Sequence, residues 1–213
     1  MPAIDQAVAS LTRFDPSASP RNAVLLLHGG APQSDLPVGP WSASWRVMRW
    51  LQHGFEGTIR RRGLATSVWL LRYRFRGWND GSSVLDSRWA LDTLREELGE
   101  IPVSLVGHSM GGRTAIAVAD HPSVTGVVAL APWIAPETST APLAGRRLVA
   151  AHGRTDKITS FAATQAFVER ARPVAAEARF VDMGEVGHYL IAGHRRWWDL
   201  AIDEALAMGA APA

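Results

Sequence analysis

Residues 107–111 read Gly107-His108-Ser109-Met110-Gly111, placing a serine between two glycines that each lie two positions away. A serine hydroxyl is a weak nucleophile unless a base sits beside it and the backbone holds its oxygen clear of the chain. The surrounding residues meet the second need. The apolar strand VSLV runs into the motif, and the helix-compatible segment GRTAIAVAD runs out of it. A strand that reverses into a helix over so short a turn requires small residues where the two chain segments pass closely. The hydroxyl then projects above the sheet edge beside a helix N-terminus, which favours nearby negative charge. The chemistry this predicts is nucleophilic attack by Ser109. Without the flanking strand and helix, the same five residues would read as a glycine-rich turn with an incidental serine.

With GHSMGG as its most specific element, the sequence resembles the α/β-hydrolase family over nearly the whole chain. The resemblance implies a Ser-acid-His order along the chain, a strand-end turn that helps to bind an oxyanion, and no metal or organic cofactor. His28-Gly29-Gly30 follows the first long apolar strand, where the family places that turn. Gly30 is the expected backbone donor, with Ala31 the alternative, and Met110 is expected to supply the second N–H. Asp156 follows RLVAAHG in the segment HGRTDKIT, similar to the family's acid loop. It is also placed to cap a helix beginning near Thr159. Glu137, in the loop after the preceding strand, is the other candidate acid. His188, in EVGHYL after the strand ARFVDM, is the expected base, and His194 is its competitor. The turn YRFRGWNDGSS resembles an Arg-Gly turn of the family, in which Arg76 shapes the loop without taking part in chemistry.

Short apolar runs must position these residues, and they alternate with longer amphipathic segments. That arrangement predicts βαβ units and an α/β fold with a mostly parallel sheet of six or seven strands. Strands are expected at AVLLL (from Ala23), SVWLLRY (from Ser67), VSLVG (from Val103), GVVALA (from Gly126), RLVAAHG (from Arg147) and ARFVDM (from Ala178). Helices are expected over 44–62, 83–98, 111–120, 160–171 and 195–208. In the second helix Val84, Trp89, Leu91, Leu94 and Leu98 form an apolar stripe that reads as core. One domain spanning 1–213 is expected, since no linker separates two cores. Many family members insert a helical lid after the strand GVVALA. Only APWIAPETSTAPLAG stands there, too short for a lid. Trp41, Trp45, Trp78, Trp133 and Tyr189 lie on loops near the relevant strand ends and are expected to wall a pocket.

The chain has no cysteine, which removes disulfides, thiolate metal sites and a cysteine nucleophile together. Its formal net charge is +2, and nearly all the positive charge is arginine, the only lysine being Lys157. Acidic residues balance the Arg60-Arg61-Arg62 run, so no nucleic-acid partner is expected. The N-terminal residues carry Asp5 and lack the cationic and apolar regions of a secretory leader. No run reaches spanning length, so a cytoplasmic protein without a membrane partner is expected. The predicted partner is a small-molecule ester or thioester. Carboxylester hydrolysis is the first reading, thioester hydrolysis the second, and a non-catalytic small-molecule binding module on the same fold the third. Oligomeric state and natural substrate are not encoded in any motif.

Overall fold

A computed structural model describes residues 7–209. Seven strands, β1 (Ser10–Phe14), β2 (Asn22–Leu27), β3 (Thr66–Arg72), β4 (Val103–His108), β5 (Val124–Leu130), β6 (Arg147–His152) and β7 (Glu177–Asp182), form one sheet. Its order is β1-β3-β2-β4-β5-β6-β7. All neighbouring pairs are parallel except β1 with β3. Five helices connect them: α1 (Ala43–Arg62), α2 (Ser82–Leu98), α3 (Met110–Ala117), α4 (Phe161–Ala171) and α5 (His194–Gly209).

The apolar runs are continuous because both faces of the sheet are covered. On β2, Leu25 and Leu27 pack with Leu91 of α2, Ile116 of α3 and Phe167 of α4. Val24 and Leu26 point the other way, toward Phe55 of α1 and Trp197 of α5. Helix α1 buries Met48, Leu51, Phe55 and Ile59 at helical spacing. It stops at Gly63, whose φ of 62° lets its N–H return to Ile59 O. Arg60, Arg61 and Arg62 occupy its last turn, where the helix end favours cations. Gln52, fully buried on α1, donates to both Thr12 O and Val68 O at 3.0 Å and so ties the helix to the β1–β3 edge.

Strand β1 is absent from the apolar-run reading, because SLTRF is short, carries three polar residues in five and lies on a sheet edge. The stripe expected on α2 also needs correction. Leu91 and Leu94 are buried, but Trp89 is 44% exposed. Two residues before Leu91 lies about 200° round a helix, on the opposite side. The connection from β5 to β6 contains only a short 3₁₀ turn at Ala141–Leu143, so no helical lid covers the sheet there. Among the described residues no helix is long and apolar enough to cross a membrane.

Candidate active site

Parallel strands deliver their carboxyl ends to one edge of the sheet, the usual place for ligands in such folds. Strand β4 ends there at His108, and Ser109 follows with φ 55° and ψ −117° before α3 begins. Serine disfavours that backbone region, and the neighbouring glycines explain how it is held. A Cβ on Gly107 would lie 2.2 Å from Gly111 O, and one on Gly111 would lie 2.2 Å from Leu27 O. Neither position can carry a larger residue without the backbone moving. The turn is anchored by Ser109 N–H donating to Leu130 O and Trp133 N–H donating to Ser109 O, each at 3.0 Å.

His188, in the segment after β7, lies with Nε2 3.0 Å from Ser109 Oγ. Its Nδ1 is 2.8 Å from Asp156 Oδ2. An ionised carboxylate only accepts hydrogen bonds, so Nδ1 carries the ring proton and Nε2 is left to accept from the serine hydroxyl. Asp156 sits in the loop after β6 with its side chain fully enclosed. Its Oδ1 accepts from Ile158 N at 2.7 Å and Thr159 N at 2.9 Å, and Thr159 Oγ1 donates to Oδ2 at 2.9 Å. Burial opposes ionisation of this carboxyl. The backbone N–H groups of Thr159 and Ile158, with His188, outweigh burial and hold it below the usual carboxylate range. Helix α4 is capped instead by Ser160, whose Oγ accepts from Ala163 N at 3.1 Å.

The turn at the end of β2 lies beside Ser109, since β2 and β4 are neighbours with Leu27 opposite Gly107. His28 braces it. Its Nδ1 meets Gly29 O at 2.7 Å, while its Nε2 accepts from Tyr73 N at 3.3 Å. Holding the Gly29 carbonyl directs the Gly30 N–H the opposite way, because the peptide unit is trans and planar. Ala31 N–H is spent on Arg76 O at 2.8 Å. Gly30 N–H and Met110 N–H have no protein acceptor among the described residues. Burial pushes His28 down to about 4. His108 is likewise pushed down to about 4, by burial first and by the adjacent His188 second. Two neutral imidazoles therefore stand next to the cluster, and His108 Nε2 donates to His188 O at 3.0 Å.

A cleft of about 390 Å³ opens over Ser109, with Val47, Ile158, Tyr189, Leu190 and Ile191 forming its apolar wall. Gly30 and Arg76 also line it, and among the described residues no carboxylate does. Of the aromatic residues expected there, only Tyr189 lines this cleft. Trp41 is 81% exposed and lies under Arg46 instead. Trp45 packs into the core. Trp78 and Trp133 clasp the Arg113 guanidinium at 4.1 and 4.4 Å from their ring centres. These tryptophans follow the right strands but turn toward core or cation, which loop position alone does not specify. Arg113 also pairs with Glu137 at 2.6 Å, so the alternative acid is engaged away from His188. His194 opens α5 against Trp50 and Trp198 and is not brought to Ser109. Val47, Ile158, Leu190 and Ile191 escape the sequence reading because isolated aliphatic residues carry no motif.

The sequence from residue 24 to residue 211 matches the model of the alpha/beta hydrolase family. The chain belongs to this family. Solved α/β hydrolases resemble it over most of their length. A serine hydrolase without lid from Xanthomonas campestris superposes with a TM-score of 0.66 at 16% identity, covering 96% of this chain and 91% of that one. A serine hydrolase homologue from Coxiella burnetii gives 0.69 at 14% identity, with 92% and 91% covered. Esterase Est2 from Thermogutta terrifontis, in its butyrate-bound structure, gives 0.70 at 15% identity, with 96% and 91% covered. No curated protein matches the sequence.

Proposed function

We propose that this α/β hydrolase is a serine esterase acting on small carboxylic esters, with Ser109 as nucleophile, His188 as base and Asp156 as the residue that orients and stabilises the base. The observation that carries this reading is the line from Ser109 Oγ to His188 Nε2 at 3.0 Å and from His188 Nδ1 to Asp156 Oδ2 at 2.8 Å. In the reaction Ser109 Oγ bonds to the substrate carbonyl carbon while its proton passes to His188 Nε2. The carbonyl π electrons move to oxygen, and the free N–H groups of Gly30 and Met110 bind that oxyanion. Collapse breaks the bond to the leaving alkoxide, which takes the proton from His188 and departs as an alcohol. Water then repeats the sequence on the acyl-enzyme, releasing the acid and restoring Ser109.

The apolar wall of the cleft favours an uncharged acyl or alcohol group of modest size. The propyl chain of the butyrate held by the Thermogutta esterase is an apolar group of that size. The test is turnover of p-nitrophenyl butyrate and labelling by a fluorophosphonate, for the wild type and for Ser109→Ala. The reading expects both to be present in the wild type, with turnover down by about 10⁴-fold or more in the variant. A folded wild type that neither turns over nor labels would refute it. Butyryl thioester hydrolysed much faster than the matched oxygen ester would reassign the substrate class while keeping the mechanism.

A further inference from the structure

His152, the last residue of β6, is fully buried and has no part in the reaction as written. Its Nε2 lies 3.1 Å from Asp156 Oδ2, the same oxygen that meets His188. Its Nδ1 lies 2.8 Å from Thr164 Oγ1 on α4. Thr159 Oγ1 sits between the two rings, 3.3 Å from His152 Nε2 and 3.1 Å from His188 Nδ1. One carboxylate oxygen thus serves two imidazoles, only one of which reaches Ser109. We propose that His152 is a positioning residue, donating its Nε2–H to Asp156 and so setting how much of that carboxylate's charge acts on His188. Burial holds the ring below the ordinary imidazole pKa, so it acts as a neutral donor and does not compete with His188 for the proton. Thr164 supports this arrangement by donating its hydroxyl hydrogen to Nδ1, which keeps the ring proton on Nε2.

The inference rests on the Ser109, His188 and Asp156 reading above. The groups facing His188 are Asp156 from the β6–α4 loop, His108 at the end of β4, and Tyr189, with ring centres 4.9 and 5.6 Å away for the last two. His28 lies behind His108 on the β2 side, and Lys157 follows Asp156 along the chain. None of these shares the Asp156 oxygen with His188; His152 does, together with the uncharged Thr159 hydroxyl. Removing its N–H leaves the carboxylate more strongly attractive to a proton on His188. The acid limb of any reaction that needs neutral His188 then moves to higher pH.

The experiment compares the pH dependence of fluorophosphonate labelling in the wild type, His152→Phe and His152→Gln. The phenylalanine variant should shift the acid limb upward by roughly half to one pH unit, the effect of one neutral hydrogen bond. Glutamine, which restores an N–H near the same place, should return the limb toward the wild-type position. An unmoved limb in a folded phenylalanine variant overturns the proposal. So does an equal loss of labelling in both variants with the limb in place, since that is a packing effect. If His152→Phe does not fold, Thr164→Val takes its place: a smaller upward shift supports the proposal and no shift overturns it. The ¹³C titration of the His188 ring in the resting protein reads the same coupling without chemistry. A wild type that resists labelling sinks the esterase reading, and that titration then decides the coupling alone, a shift supporting it and none overturning it.

Discussion

In Asp156→Asn, the surrounding hydrogen bonds decide which way the new amide faces. The Oδ1 position receives Ile158 N–H at 2.7 Å and Thr159 N–H at 2.9 Å. Backbone N–H groups can only donate, whereas the groups at Oδ2, the Thr159 hydroxyl and the His152 and His188 rings, can turn acceptor by rotation or change of tautomer, so the amide nitrogen is driven to the Oδ2 side. There it faces His188 Nδ1 at 2.8 Å and must donate to it. The ring proton moves to Nε2, which faces Ser109 Oγ at 3.0 Å and can no longer accept the serine proton. In a serine protease, the equivalent tautomer trap lowers kcat about 10⁴-fold, or roughly 5.5 kcal/mol of transition-state stabilisation. The same loss is expected here. Stability should fall by less than about 2 kcal/mol, because an amide oxygen still receives both backbone donors. Stopped-time assays with p-nitrophenyl butyrate, alongside urea denaturation, measure the two effects. A folded Asp156→Asn variant retaining activity within about tenfold of wild type would refute the proton assignment.

Gly30→Ala would place a Cβ 2.3 Å from Arg76 O and 2.6 Å from Met110 Cε. The turn must move, which should cost about 1–3 kcal/mol of stability and, if the proposed oxyanion role of the Gly30 N–H holds, about a hundredfold in kcat; denaturation and steady-state assays check both. The neutral burial of His28 and His108, each pushed down to about 4, makes stability pH-dependent. A lowered folded pKa means the unfolded chain binds protons first, so this stability is complete above about pH 6.5 and falls as the pH drops toward 4. The loss near pH 4.5 is about 2 to 3 kcal/mol per histidine, and a urea midpoint flat between pH 7 and 4.5 would disprove the neutral assignment. Ile191→Asp, on a residue 61% exposed at the cleft, should raise KM for butyl and hexanoyl esters several-fold with little change in Tm. Trp41→Ala should leave kcat/KM within about twofold, as that ring lies outside the cleft.

The legible parts of this protein are those governed by local rules. The elbow is readable because both its glycines stand at fixed offsets from Ser109, although only the approach at Gly107 is local and the one at Gly111 is to Leu27 on the neighbouring strand. Strands β2 to β6 are readable because burial on both faces makes their centres apolar, while the edge strand β7 is readable from its short Phe180-Val181 core alone. Strand β1 is not, since its pairing with β3 spans more than fifty residues and its five residues hold only Leu11 and Phe14 as apolar positions, with no period-2 pattern. The choice between Gly30 and Ala31 needed the Ala31 N–H bond to Arg76 O, a contact across two loops. His152 stands four residues before Asp156, a spacing visible in the chain, yet only the turn after β6 folds that separation into a shared oxygen. The tryptophans mislead for the converse reason. Trp133 joins the serine turn through its backbone while its side chain covers Arg113.

The φ of 55° at Ser109 carries a consequence for how this chain can change. Glycine at that position would relax a conformation that strains serine by about 1–3 kcal/mol. A search for more stable sequences on this backbone would therefore remove the hydroxyl that the fold presents. With folded domains stable by only about 5–15 kcal/mol, that strain is a visible fraction of the whole, supplied by the packed strands and helices far from the turn. Selection for heat resistance and selection for reactivity pull on this one residue in opposite directions, so thermal stability gained elsewhere in the chain leaves the elbow free to keep its serine.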